Sequence, residues 1–255
     1  TNFTYSWNKN EIIELAASAV NPVTGEALNL TKLDIKGLGK AKYILKEGGT
    51  LGDLYTTSDL RFNDNGYVEV DKNGNLLMTD EGEDIYLGSV FPNHNLAWRN
   101  DFSYKGINLG ILFTARLGGV CYSATQANLD PYGVSEASAA ARDAGGVLIN
   151  GREMVDAQKW YQAIGSQSGL PQYYLYSATN VRLQELSLGY TFPRKWFRDK
   201  MGLTVSFVGR NLWMVYCKAP FDPEAVASTG LNYQGIDYFM MPSMRNLGFN
   251  VKFQF

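Results

Sequence analysis

Leu247-Gly248-Phe249-Asn250-Val251-Lys252-Phe253-Gln254-Phe255 closes the sequence in strict alternation. Successive side chains of an extended strand point to opposite faces. Leu247, Phe249, Val251, Phe253 and Phe255 therefore share one face, and Asn246, Gly248, Asn250, Lys252 and Gln254 share the other. The pattern predicts a strand with one apolar and one polar side. Its length, about ten residues, is what a tilted strand needs to cross a bilayer.

The same rule recurs upstream. Residues 1–8 put Phe3, Tyr5 and Trp7 together, and 94–104 put Trp98, Phe102 and Tyr104 opposite Arg99, Asp101 and Ser103. Residues 107–117 set Ile107, Leu109, Ile111, Phe113, Ala115 and Leu117 against Asn108, Gly110, Thr114 and Arg116. Residues 181–192 align Leu186, Leu188, Tyr190 and Phe192, and 203–213 align Leu203, Val205 and Phe207 against Thr204, Ser206 and Arg210. The connections alternate in length. Lys105-Gly106 and 193–202 are short, whereas 9–93, 118–180 and 214–245 are long. Outer-membrane barrels have short periplasmic turns and long extracellular loops, and an aromatic closing the last strand suits them. With a periplasmic C-terminus, all three long links fall outside. The expectation is an all-β chain, a transmembrane antiparallel β-barrel segment of six or so strands over residues 1–255. Loops this long are expected to be folded. Helical periodicity marks 11–20 and 151–164, the latter with Met154, Ala157, Tyr161 and Ile164 on one face, and 43–78 has room for one or two hairpins.

Composition narrows the function classes. The 23 Lys+Arg balance 25 Asp+Glu, which argues against a nucleic-acid binder. No run of 18 apolar residues offers a transmembrane helix. His94 is the single histidine, so Ser-His-Asp, Cys-His and multi-histidine zinc sites are not expected, and no metal or cofactor is. Two cysteines, Cys121 and Cys217, allow at most one bridge, and sequence leaves their pairing open. Asp71-Lys72-Asn73-Gly74-Asn75 begins like a calcium loop, but Leu76 stands where Gly is needed and Gly82 where Glu is needed. A hairpin turning at Asn73-Gly74 is the better reading. Arg194-Lys195-Trp196-Phe197-Arg198 reads as an interface turn, since aromatic rings favour the membrane boundary. Trp160, Tyr161, Tyr173, Tyr174 and Tyr176 fall in a long link, where they are equally a ligand platform or packing against a partner.

Several stretches, in order, resemble the SusC-like TonB-dependent outer-membrane transporters of Bacteroidetes. They are Leu87-Gly88-Ser89-Val90-Phe91-Pro92, then Val181-Arg182-Leu183-Gln184-Glu185-Leu186-Ser187-Leu188-Gly189-Tyr190-Thr191-Phe192-Pro193, then Gly209-Arg210-Asn211-Leu212, Asp222-Pro223-Glu224, Pro242 and residues 248–255. The resemblance implies that the chain is the C-terminal portion of a barrel of roughly 22 strands with a plugged lumen. The plug and the TonB-contacting segment would then lie outside residues 1–255. It also implies import of a glycan or peptide oligomer, driven by the TonB complex, with a SusD-like lipoprotein capping the mouth. Asp222, Pro223 and Glu224 are its signature residues, and Phe253 and Phe255 its C-terminal insertion signal. The plain reading of Asp222-Pro223-Glu224 is a turn or a helix start.

Two other readings stay open on the residues alone. One is a complete small barrel acting as anchor or adhesin. The other is a secreted glycan-binding β-sandwich, whose apolar faces would be buried between sheets.

Overall fold

The computed structural model describes residues 1–16, 19–27, 30–79, 82–228, 230 and 233–255. In chain order the strands are β1 (Asn2–Trp7), β2 (Lys32–Leu38), β3 (Ala41–Lys46), β4 (Asp53–Thr56), β5 (Ile85–Ser89), β6 (His94–Tyr104), β7 (Ile107–Leu117), β8 (Val120–Ser123), β9 (Val147–Ile149), β10 (Glu153–Val155), β11 (Leu175–Ser177), β12 (Asn180–Phe192), β13 (Gly202–Cys217), β14 (Ile236–Asp237) and β15 (Asn246–Gln254). Among the described residues, three short α-helices, α1 (Ala124–Leu129), α2 (Glu136–Asp143) and α3 (Ala157–Ile164), all lie in the link between β7 and β12.

The six strands expected from alternation form one antiparallel sheet in the order β1-β6-β7-β12-β13-β15. Its register aligns the apolar residues of all strands on one face. One rung runs Phe3–Trp98–Phe113–Leu183–Trp213, and another runs Phe102–Leu109–Leu188–Phe207–Phe249. The opposite face carries Ser103–Asn108–Gly189–Ser206–Asn250. Lys105 and Gly106 both have positive φ, 48° and 87°. That is the two-residue turn whose twist matches a hairpin, and a side chain at Gly106 would meet the Thr191 carbonyl oxygen at 2.7 Å.

The apolar face is bare. Phe3, Trp98, Phe102, Leu188, Phe207 and Trp213 are all exposed, and Phe249 is 80% exposed. A soluble protein rarely leaves an apolar patch of this extent in water. The eleven residues of β6 and of β7 make about 35 Å of strand. Tilted by about 45°, they cover the roughly 25 Å apolar band of an outer-membrane barrel. The sheet does not close, and no hydrogen bond joins β1 to β15 among the described residues.

The hydrophobic core lies elsewhere, in the links. Ala41, Tyr43, Leu54, Leu60, Leu76 and Val90 come from the link between β1 and β6. Tyr122, Ala124, Ala127, Ile164, Leu170 and Tyr174 come from the next link, and Ile236 from the last. The three long links thus pack into one layer at one end of the sheet, with the short turns at the other. Hydrogen bonds tie the layer together. Lys40 N–H donates to the Gln167 carbonyl at 3.0 Å, Tyr43 Oη donates to the Gln234 carbonyl, and β14 pairs in parallel with β8.

Within this layer the hairpins expected in 43–78 are present. β3 pairs with β4, and bridges Leu60–Met78, Phe62–Val68 and Val70–Leu76 form the second hairpin. The Asp71 carboxylate accepts from the Asn73 and Asn75 N–H groups, closing the turn at Asn73-Gly74. Two helix expectations need correction. Residues 11–16 form no helix, and 17–18 lie outside the described residues. The helix expected over 151–164 starts only at Ala157, where Asp156 caps it by accepting from Lys159 N–H. Gly151 with φ of 69° turns the chain ahead of it, and Met154 sits exposed on β10.

The register predicts a sharp asymmetry at β15. Val251 pairs with Val205 on the apolar face, and Asn250 pairs with Ser206 on the polar one. A lysine facing lipid near the midplane costs about 2–4 kcal/mol. Val251→Lys should therefore deplete folded, heat-modifiable protein in outer membranes, whereas Asn250→Lys should leave it near wild type. Equal depletion by both would mean that the two faces see the same medium.

Candidate functional site

Where the wall meets the link layer, a buried arginine organises four segments. Arg182, near the start of β12, has a side chain only 5% exposed. Its guanidinium donates to both Asp222 carboxylate oxygens, Nη2 to Oδ1 at 2.8 Å and Nη1 to Oδ2 at 3.2 Å. It also donates to the side-chain carbonyls of Asn180 and Asn211, and Nη2 lies 3.1 Å from Glu224 Oε1. A buried charge is tolerable only when paired and hydrogen-bonded, and this one is. Bidentate geometry suits the planar fork of arginine.

The local sequence explains how the partners arrive. Asp222, Pro223 and Glu224 form a tight turn in which Ala225 N–H donates to the Asp222 carbonyl and Glu224 N–H to the Asp222 carboxylate. Pro at the second position favours such a turn, and no helix starts there. Asn211 sits at a register shift between β12 and β13 with φ of 52°, a left-handed conformation that asparagine tolerates. Burial alone would raise the Asp222 carboxyl, but hydrogen bonds from Arg182, Ser243 and Glu224 N–H outweigh it and hold it below its ordinary value. Arg116, at the end of β7, reaches Glu224 through Nε at 3.5 Å.

Lower on the polar face runs a second charged row. Arg99 Nε donates to Asp101 Oδ2 at 2.9 Å, Arg99 Nη1 to Glu185 Oε1 at 3.4 Å, and Arg210 Nε to Glu185 Oε2 at 3.0 Å. Arg99 stands on β6 and Glu185 on β12, with β7 between them. Gly110 keeps that path open, since a Cβ there would lie 2.5 Å from Ser187 Oγ and 3.0 Å from Asp101 Oδ1.

The aromatic candidates are held in the link layer. Tyr174 is fully buried in its core, and Trp160, Tyr161 and Tyr173 pack against that core. Trp160 and Tyr173 meet edge to face at 6.0 Å. Tyr176, on β11, meets Phe221 edge to face and donates to Gln126 Oε1. Burial pushes the Tyr173 hydroxyl up to about 12, with Asp59 adding to the effect. The five do not form one exposed platform. Phe253 and Phe255 lie at the opposite end, exposed. His94 sits at the upper rim of the apolar face, its Nδ1 bonded to Tyr5 Oη at 2.9 Å. Trp196, near the lower turn, is exposed and packs on Phe192. Cys121 and Cys217 are free thiols, and burial pushes Cys121 up to about 12.

Comparison with known proteins agrees with this architecture. No family model matches the chain. TonB-dependent receptor P3 of Formosa agariphila (strain DSM 15362 / KCTC 12365 / LMG 23005 / KMM 3901 / M-2Alg 35-1) is 26% identical over 283 residues, covering 99% of this chain and 26% of that protein. In sequence, then, this chain is similar to a TonB-dependent receptor. In fold it is similar to the RagAB peptide importer in its closed-closed state, with TM-score 0.61 and 19% identity, and in its open-open state, with TM-score 0.59 and 18% identity. Each match covers 98% of this chain and 26% of the solved one, so the chain spans about a quarter of the length of its relatives. Arg182, Asn211 and Asp222 lie in three separate stretches of the sequence, and the fold brings them into one cluster.

Sequence reading singled out Asp222 and Glu224 but missed Arg182, Asn211 and Arg116 as their partners. The one available signal was a charged residue among apolar neighbours in Val181-Arg182-Leu183. Removing Arg182 alone strands a buried carboxylate, at a cost of about 3–5 kcal/mol. Arg182→Met should therefore expose the 218–245 link to protease in otherwise folded protein, while Arg182→Met combined with Asp222→Leu should recover protection. Because the Asp222 carboxyl is depressed, its stabilisation is complete above the ordinary carboxylate range and fades as pH falls through its lower folded value. Protease protection of this link should thus hold at pH 5 and be lost only in stronger acid.

Proposed function

We propose that this chain forms part of the wall and outer loops of a TonB-dependent importer in the outer membrane, carrying a nutrient oligomer, glycan or peptide, inward. The observation that carries the reading is the six-stranded sheet, with a bare apolar face aligned across its strands on one side and a charged, hydrogen-bonded face on the other. In a barrel the first face meets lipid and the second lines the lumen. The rest of a barrel of roughly 22 strands, with its plug and TonB-contacting segment, would be supplied outside residues 1–255. The link layer then stands on the extracellular side, where a SusD-like lipoprotein would close on it. TonB, pulling from the periplasm, would supply the work, and the chain itself would carry no chemistry.

A β-sandwich would cover the apolar face with a second sheet, and none of the described smaller sheets does so. A complete small barrel would need β1 and β15 to meet, and they do not.

Topology can be tested in intact cells carrying the whole transporter with Cys217→Ser. Gln167→Cys and Tyr132→Cys, both at exposed positions of the link layer, should react with a membrane-impermeant maleimide. Lys105→Cys, in the opposite turn, should react only after the outer membrane is opened. Labelling of Lys105→Cys in intact cells with silence at the other two would invert the topology and sink this reading.

A further inference from the structure

We propose that the cleft between the top of the wall and the link layer is a subsite for a carboxylate group of the cargo, with Arg116 and Lys9 as its cationic ligands. The inference rests on reading the polar face as the lumen of an importer, and it adds the chemical class of what is carried.

The cleft, of about 380 Å³, lies where β1 ends, β6 begins and β7 ends, under the turn at Thr50 and Leu51. Asn95 and Arg116 face each other directly across β6 and β7 on the polar face. Lys9 and Arg116 both line it, and no acidic residue does. Among the lining residues that is an excess of positive charge, in a chain of net charge −2, with Glu11 and Glu224 reaching the two cations from outside the lining. The pairing is also looser than in the charged row lower on the same face, where Arg99 and Arg210 meet Asp101 and Glu185 at 2.9, 3.4 and 3.0 Å, against 3.5 Å for Arg116–Glu224 and 4.0 Å for Lys9–Glu11.

Neither cation is consumed by its neighbours. Arg182 already takes both Asp222 oxygens and one Glu224 oxygen. Arg116 approaches Glu224 no closer than 3.5 Å, through its Nε. Its two terminal nitrogens make no hydrogen bond among the described residues, leaving the edge of the fork that grips a carboxylate with two parallel bonds. Lys9 meets Glu11 at 4.0 Å with both side chains solvated, an arrangement worth little. The amides of Asn8 and Asn95 also line the cleft without a side-chain hydrogen bond among the described residues, so hydroxyl or amide groups beside the carboxylate find donors and acceptors. The Phe91 ring adds an apolar wall. A carboxylate on a polar oligomer fits this set, whether borne by a uronate sugar or by an acidic peptide.

The test uses the whole transporter in detergent, with binding measured calorimetrically. The probes are oligogalacturonate against its carboxyl-reduced neutral form, and an oligoglutamate peptide against its glutamine counterpart. The expected result is that one acid binds at least about tenfold more tightly than its neutral partner, and which acid does so identifies the source. Arg116→Gln should bring that acid to the affinity of the neutral form. Lys9→Gln, which lies outside the Arg182 cluster, should lower the preference several-fold, and Arg116→Lys should restore part of it. Heat-modifiability of each variant reports that the barrel is folded. Equal affinities for acid and neutral forms, binding by none of the probes, or an intact preference in a folded Arg116→Gln variant would each overturn the inference. The importer reading fails separately, through the maleimide pattern, which does not depend on the cleft.

Discussion

Every backbone N–H and C=O in a hydrocarbon layer needs a partner inside the protein, because lipid offers none. The rest of this structure follows from that constraint. β6, β7, β12 and β13 are paired on both sides, whereas β1 and β15 are each paired on one. Strands paired this way must alternate, so one face is given to lipid and the other to water. Such a wall cannot bury its own side chains into a core, and among the described residues the core takes none from it. Its rungs of Trp98, Phe113 and Leu183, or of Leu188, Phe207 and Phe249, are satisfied by an apolar medium. The core that folds in water is assembled from the three links.

The two parts need a mechanical joint, and the Arg182 cluster is that joint. The arginine belongs to the wall and Asp222 and Glu224 to the last link, with Asn211 reading the position of β13. A buried ion pair contributes little net stability compared with apolar residues of the same shape. Its value is directional, since a bidentate pair fixes angle and distance where packed methyl groups would tolerate sliding. Arg116 extends the same network onto the rim of the polar face, so the orientation of the link and the charge at the mouth are set together.

The wall was legible in sequence because a period of two is hard to produce by accident over ten residues. All six strands fall close to where alternation placed them. β13 runs beyond the alternating stretch to Cys217, because the left-handed Asn211 and the register shifts with β12 interrupt the pattern without ending the strand. The helix ending at Ile164 was half legible. Its apolar spacing was correct from Ala157 onward, but Gly151 and the Asp156 cap set a later start. The cluster was least legible. Arg182 and Asp222 are 40 residues apart, and a lone charge in a barrel strand reads as one more lumen residue until the fold brings its partner. The aromatics were visible as residues but not as an arrangement, since a tyrosine in a long link has the same spelling whether it packs inward, as Tyr174 does, or faces out.

The polar face shows how such a wall can separate structure from recognition. In its lower part, charges are spent on one another across strands: Arg99 bridges Asp101 and Glu185, and Arg210 closes the other side of Glu185. Gly110 is the concession that lets this row pass over β7. A compensated row presents little field to a passing solute and leaves no charge unpaired next to a low-dielectric wall. At the rim the rule changes. Arg116 has only a loose carboxylate partner in Glu224, at 3.5 Å, and its terminal nitrogens make no hydrogen bond among the described residues. Selectivity placed at the rim can vary with the links, whose core is their own, while the register below it stays fixed.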